Sequence, residues 1–194
     1  MTWWLRSRRG PLLALLVLVE AALVAVAGSA RIPVPSLAAA GTVPIVAAVF
    51  LPLLVNSGVQ YSLEGRDRWM ELPAVRRVEL LDAALVACVV LLVVALGWAA
   101  HAAGAEVALE GARNAVAYVG LGLVAAWIAG PRAGSTVPVA YVLLVAVFAS
   151  GSTVETDAWS WPVHGARSSV AAAIALALLA AGAAALLSRP RGPR

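Results

Sequence analysis

The chain has 194 residues, of which 62% are hydrophobic and only 12% charged, with a mean hydropathy of +0.92 and a formal net charge of +4. Soluble domains carry roughly 25% charged residues, so this composition excludes a water-soluble globular fold and points to a polytopic membrane protein. All 14 basic residues are arginine, a bias that reads as GC-rich codon usage rather than as a nucleic-acid surface, and no nucleic-acid partner is expected. Cys88 is the one cysteine; it can form no intrachain disulfide and reads as a buried small hydrophobe.

In chain order, residues 1–10 place Trp3 and Trp4 beside Arg6, Arg8 and Arg9. This pattern predicts a short interfacial segment, because Trp favours the headgroup level and Arg the anionic inner leaflet. Six apolar runs follow, about 11–28, 34–55, 80–100, 112–129, 136–150 and 168–187. They predict an all-α fold of six transmembrane helices in a single domain covering 1–194. The first run is read as a span and not as a signal peptide, since no small-residue cleavage site leads into a soluble domain. Pro11 suits its first turn.

Glu20 lies near the middle of that first run. An ionisable group there costs several kcal/mol unless it is paired, protonated or facing water. It is read either as a structural hydrogen-bonded Glu or as a group facing a substrate cavity or a subunit interface. The second run carries Pro35, Pro44 and Pro52, which predicts a kinked helix. Ser57 and Gly58 are expected to end it and to open a cytoplasmic loop over 56–79. The surrounding stretch, 56–82, holds four arginines and five of the ten carboxylates. A short amphipathic piece is expected from Ser62 to a break at Leu72-Pro73. Glu79 and Asp82 then stand at helical spacing from Arg76 and Arg77.

Beyond the third run, Glu106, Glu110 and Arg113 predict one exposed helical turn. His101 lies close by, but no zinc or calcium ligand spacing is present, and no metal is expected. The fifth run is short for a full crossing, which leaves two readings, continuation into the next segment or a break near Pro138. Trp159 and Trp161 flank Ser160 ahead of Pro162, which predicts a re-entrant or interfacial segment before the last helix. The last run is rich in Ala and includes Gly182, and small residues allow close helix packing.

Topology follows from arginine placement. With the N-terminus inside, eleven arginines fall on the cytoplasmic side and Arg31, Arg113 and Arg167 on the other, as the positive-inside rule requires. Both termini and the 56–79 loop are therefore expected in the cytoplasm of a cell (plasma) membrane protein. The chain has no phosphate-binding glycine loop, no nucleophile elbow around the S-G-S-T at 150–153 and no zinc-protease motif. No enzymatic activity and no cofactor are expected.

Three stretches carry a resemblance: S-L-E and R-R-V-E-L (62–64 and 76–80), A-R-N-A-V-A-Y-V-G-L-G-L (112–123) and W-S-W-P (159–162). Together with the six runs and the charged loop after the second, the chain resembles permease subunits of type-two ATP-binding-cassette exporters, the small actinobacterial ones in particular. It is shorter than most of them and has almost no external domain. The resemblance implies a permease half that works as a homodimer or paired permease in the lipid bilayer. Such a half borrows ATP hydrolysis from a separate ABC-type ATPase subunit and moves a hydrophobic or amphipathic cargo such as a peptide or antibiotic. It further implies a coupling helix within 61–72, with Glu64, Arg66, Asp67, Arg68 and Trp69 contacting the ATPase while Glu20 and Asn56 line or gate the path. Two alternatives stay open, an ion- or proton-coupled carrier using Glu20, or a non-transporting membrane anchor or regulatory subunit.

Overall fold

The computed structural model describes residues 8–37, 41–64, 78–148 and 157–188. In chain order the elements are α1 (Gly10–Ala27), a β-hairpin of β1 (Arg31–Ser36) and β2 (Gly41–Val46), a 3-10 turn (Ala47–Val49), α2 (Leu53–Glu64), α3 (Val78–Ala102), α4 (Ala108–Ala129), α5 (Pro131–Phe148), a second 3-10 segment (Ala158–Val163) and α6 (Ser169–Leu187). Five of these helices, α1 and α3 to α6, are long and apolar enough to cross a membrane. The protein is therefore mostly helical, with one small sheet, and four of the five spans start within about four residues of the sequence-based boundaries. Helix α5 starts at Pro131 and not at 136, which gives it 18 residues and a full crossing length; Pro138 sits inside it without ending it.

The run at 34–55 does not form a transmembrane helix. It splits into the hairpin, the 3-10 turn and the start of α2. The prolines explain this. In the antiparallel register Pro33 faces Pro44, and Pro35 faces Thr42. Directly opposed residues that exchange two hydrogen bonds each need an N–H, so Pro33 and Pro44 must be a non-hydrogen-bonded pair. Pro35, two residues on, then occupies the same kind of position. All three prolines consequently present their missing N–H to the outer edges of the hairpin, where it blocks further strand pairing. Prolines that read as helix kinks are edge blocks.

Helix α2 also runs past the expected stop at Ser57 and Gly58. Val55, Asn56, Gly58, Val59, Gln60, Ser62 and Leu63 are all buried, so the first nine residues of the predicted loop are packed helix. Gly58 lets α2 lie against α1, since a Cβ there would come within 2.8 Å of Leu16. At one end of the pair the Ser62 hydroxyl donates to the Arg8 carbonyl. At the other, the N–H groups of Ala47 and Ala48 donate to the carbonyls of Ala30 (2.8 Å) and Gly28 (3.0 Å). Residues 47–64 therefore run back along the whole of α1.

Helix α4 is the centre of the bundle. Fourteen of its 22 residues are buried, against five of 25 in α3. Its polar groups Arg113, Asn114 and Tyr118 face protein and not lipid. Glycines bring it close to α6: a Cβ on Gly120 would lie 2.5 Å from the Leu178 carbonyl oxygen, and one on Gly182 2.7 Å from the Gly120 carbonyl. One apolar cluster joins Leu13, Val17, Val59, Val89, Val119 and Leu186. A second joins Ile45, Val49, Tyr118, Val142, Trp161 and Ala175 and seats the hairpin. Leucines and valines such as Leu15, Leu91 and Leu176 cover the outside, the inverse of a soluble surface. Cys88 belongs to that outer face, so the expectation of a buried thiol is corrected.

Candidate functional site

The charged loop is held by both of its roots. Its first root is the last turn of α2, its second the first turn of α3, and Arg8 joins them. The Arg8 guanidinium donates from Nε to Asp82 Oδ1 at 2.8 Å and from Nη2 to Oδ2 at 3.3 Å, a two-pronged pair with both side chains at 0% exposure. Its backbone carbonyl accepts the Ser62 hydroxyl. The next residue continues the clasp, with the Arg9 guanidinium 3.8 Å above the centre of the Tyr61 ring. Such a stack is worth about 0.5–1 kcal/mol where water can reach it. Arg9 adopts φ 52° to do so. Arg8 read from sequence as one of several anchoring arginines, and its long-range pair with Asp82 is a contact the sequence reading did not foresee; the expected pairing of Asp82 with Arg76 or Arg77 falls on residues outside those described. Arg76 and Arg77 lie outside the described residues, as do Arg66, Asp67, Arg68 and Trp69. Glu64, the other expected coupling residue, ends α2 in an exposed position at the mouth of the loop.

Asn56 is fully buried, one turn before Gln60. Its Nδ2 donates to the Gly134 carbonyl in the first turn of α5 at 3.1 Å, while its Oδ1 accepts from Gln60 Nε2 at 3.3 Å. Gly122 on α4 and Gly134 leave the room these amides need, because a Cβ on Gly122 would overlap Asn56 Oδ1 and stand 2.6 Å from Gln60 Nε2. Asn56 thus ties α2 to α4 and α5. The i,i+4 spacing of Asn56 and Gln60 was legible as one polar face; the glycines that receive it, over sixty residues away, were not.

Glu20 is buried at 3% exposure. It lines a small half-open pocket with Ala21 and Val24 of α1, Val93, Leu96, Gly97 and Ala100 of α3, and Ala108 and Ala112 of α4. Among the described residues it has no hydrogen-bond or ion-pair partner. Glu20 and Asn56 are therefore not brought together. One faces an apolar pocket, and the other is engaged in helix packing.

A third polar group closes the hairpin end of the bundle. Arg113 Nη2 donates to the His164 carbonyl at 2.7 Å and Nη1 to the Gly165 carbonyl at 2.9 Å, while Asn114 Nδ2 donates to the Pro162 carbonyl at 2.8 Å. Arg113 is thus a brace for the tryptophan segment and not part of a free helical turn. Trp161 is buried between Tyr118 and Tyr141, stacked on the latter at 5.9 Å and 20°. The 158–163 segment is a 3-10 piece packed on the bundle end. Ser160 and His164 approach each other at 3.4 Å, but both are buried, and no carboxylate orients the imidazole: its two nitrogens face the Ser168 hydroxyl and the Asp157 carbonyl. The arrangement caps α6, where Ser168 accepts from the Ala171 N–H. Among the described residues no group of three or more His, Cys, Asp or Glu side chains converges on a metal-sized site. Compared with known proteins, the chain matches no family model, no curated protein and no solved structure.

Proposed function

We propose that the protein is the permease half of an ATP-binding-cassette exporter, paired with a second half in the plasma membrane and driven by a separate ATPase docked on the 56–79 loop. The observation that carries this reading is the Arg8 clasp. A buried arginine that holds Ser62 on one root of the loop and Asp82 on the other makes the loop a handle fixed to two helices. Force delivered to a segment with flexible roots is dissipated within it; force delivered here reaches α1, α2 and α3 together, and through Asn56 the first turn of α5. In this proposal Glu64, Arg66, Asp67, Arg68 and Trp69 contact the ATPase. Asn56 transmits the motion across the helix interface, and Glu20 faces the path of a hydrophobic or amphipathic cargo.

The proposal includes a sixth crossing, made by residues 47–64. Twelve α-helical residues at 1.5 Å each and six tighter ones at about 2 Å span about 30 Å, the thickness of a bilayer core. The pairing of this piece with α1 over its full length supports that reading. Both ends of the chain then lie on the cytoplasmic side, in agreement with the arginine distribution.

The test is purification of the tagged full chain in mild detergent from its native host. An ATPase subunit is expected to accompany it, and alanine at Arg66, Asp67 and Arg68 together is expected to detach that subunit while leaving the chain in the membrane. Should no ATPase follow, and should a pH gradient alone drive cargo movement in liposomes, the protein is instead a proton-coupled carrier. The unpartnered Glu20 carboxyl is what favours that second reading.

A further inference from the structure

The Glu20 pocket combines one carboxyl group with a wholly aliphatic wall, and its position between α1, α3 and α4 leaves one side open. The helices approach closely beside it. A Cβ on Gly97 would lie 2.5 Å from that of Ala112, and one on Gly111 2.9 Å from Val24, so the void at Glu20 persists where its neighbours touch. The space in front of the carboxyl is small, with room for about one water-sized group before the open mouth. A lone carboxylate in such surroundings costs several kcal/mol, and none of the other charged side chains on the packed helices, Glu79, Asp82 and His101 of α3 or Glu110 and Arg113 of α4, lines the pocket. Among the described residues there is no countercharge. A bound inorganic cation is disfavoured, since calcium and magnesium require about six or more oxygen ligands and the side chains here offer only the carboxylate. An anionic head group is repelled.

We infer that this pocket is a binding site for the ammonium head of a lipophilic amine, whose alkyl chain leaves through the open side along the apolar faces of α1 and α3. Charge complementarity selects the head, which is about the size of a water and fits this space, and the tail begins at the open mouth. The tail meets surroundings as apolar as itself, because the outward faces of both helices carry exposed leucines such as Leu18, Leu23, Leu91 and Leu92. The site stands whether or not an ATPase docks on the 56–79 loop, since no residue of that loop contributes to it.

The full chain in lipid nanodiscs, treated with dicyclohexylcarbodiimide and read by mass spectrometry, tests the inference without a variant. This reagent reaches carboxylic acids from the bilayer. The acid proton passes to a carbodiimide nitrogen as the carboxyl oxygen attacks the central carbon, and the adduct rearranges to a stable N-acylurea. Labelling at Glu20, counted as the N-acylurea plus any decylamide formed as the amine displaces dicyclohexylurea from the activated acid, is expected, slowed about tenfold by decylamine, equivalent to about 1.4 kcal/mol of protection, and left unchanged by decanol or sodium chloride. A fluorescent long-chain amine should bind the wild type and lose about tenfold in affinity to Glu20→Gln. Three results overturn the inference: equal protection by decanol, which means the pocket takes any alkyl chain; labelling untouched by decylamine, which leaves a carboxyl that takes only a proton; and no labelling, which means the pocket is closed to the bilayer.

Discussion

Arg8 and Asp82 form the interaction with the most at stake, because both ions are fully buried. Removing one partner of such a pair costs about 3–5 kcal/mol, whereas replacing both by apolar residues of similar volume is often close to neutral. Arg8→Ala or Asp82→Ala should therefore lower the midpoint of heat inactivation in detergent sharply, by more than any outward-facing substitution, and Arg8→Met with Asp82→Leu should recover most of the loss. If the double variant is as unstable as either single one, the pair is not what holds the loop roots. The sequence showed both residues but not the pairing, since 74 positions separate them and nearer arginines offered themselves to Asp82. Asn56 is a parallel case. The reading by resemblance put it on the transport path at the start of the loop, and its two hydrogen bonds and the glycines around it fix α2 in the bundle.

At the scale of the element, the contact of α4 with α6 depends on the absence of side chains. Gly120 and Gly182 let backbone meet backbone, and association in lipid relies on this kind of close approach more than on apolar burial. Gly120→Ala should cost about 1–3 kcal/mol by overpacking, visible as a lower detergent melting midpoint. Val170→Ala, on the outer face of α6, should stay within about 0.5 kcal/mol of wild type. Equal midpoints for the two variants would mean that the helices separate at no cost. The last run's Ala and Gly content had pointed to close packing from sequence alone, whereas the identity of the facing helix had not been legible. The hairpin teaches the opposite lesson. Residues 34–55 are apolar enough for a span, and only their pairing with each other across Pro33 and Pro44 distinguishes edge-blocking prolines from kinking ones.

For the whole molecule, the decisive question is which ends of the helices share a side. Single cysteines in a Cys88→Ser background answer it. One at Thr42 in the hairpin and one at Glu64 at the loop mouth are both exposed, and they should react with a membrane-impermeant maleimide from opposite sides of sealed vesicles. Reaction from the same side would remove the sixth crossing and with it the proposed cytoplasmic position of both termini. Native Cys88, on the outer face of α3, should react with a lipid-soluble maleimide and resist the impermeant one.

What the sequence determined by itself was the solvent and most of the long helices: missing charge and apolar runs of about 20 residues require a bilayer, and five of the six runs became helices near their expected limits, because hydrogen bonding within the segment is obligatory in lipid. It also isolated the charged stretch and Glu20, since charge is conspicuous in an apolar chain. The tertiary structure decided everything that depends on partners distant along the chain. It turned the second run into a hairpin and a shorter helix, put α4 at the centre, joined Arg8 to Asp82 and Asn56 to Gly134, and left Glu20 facing a pocket with no countercharge among the described residues. Hydropathy reports the cost of leaving water, which each residue bears alone; pairing and helix contact depend on which groups meet, and that is a property of the folded arrangement.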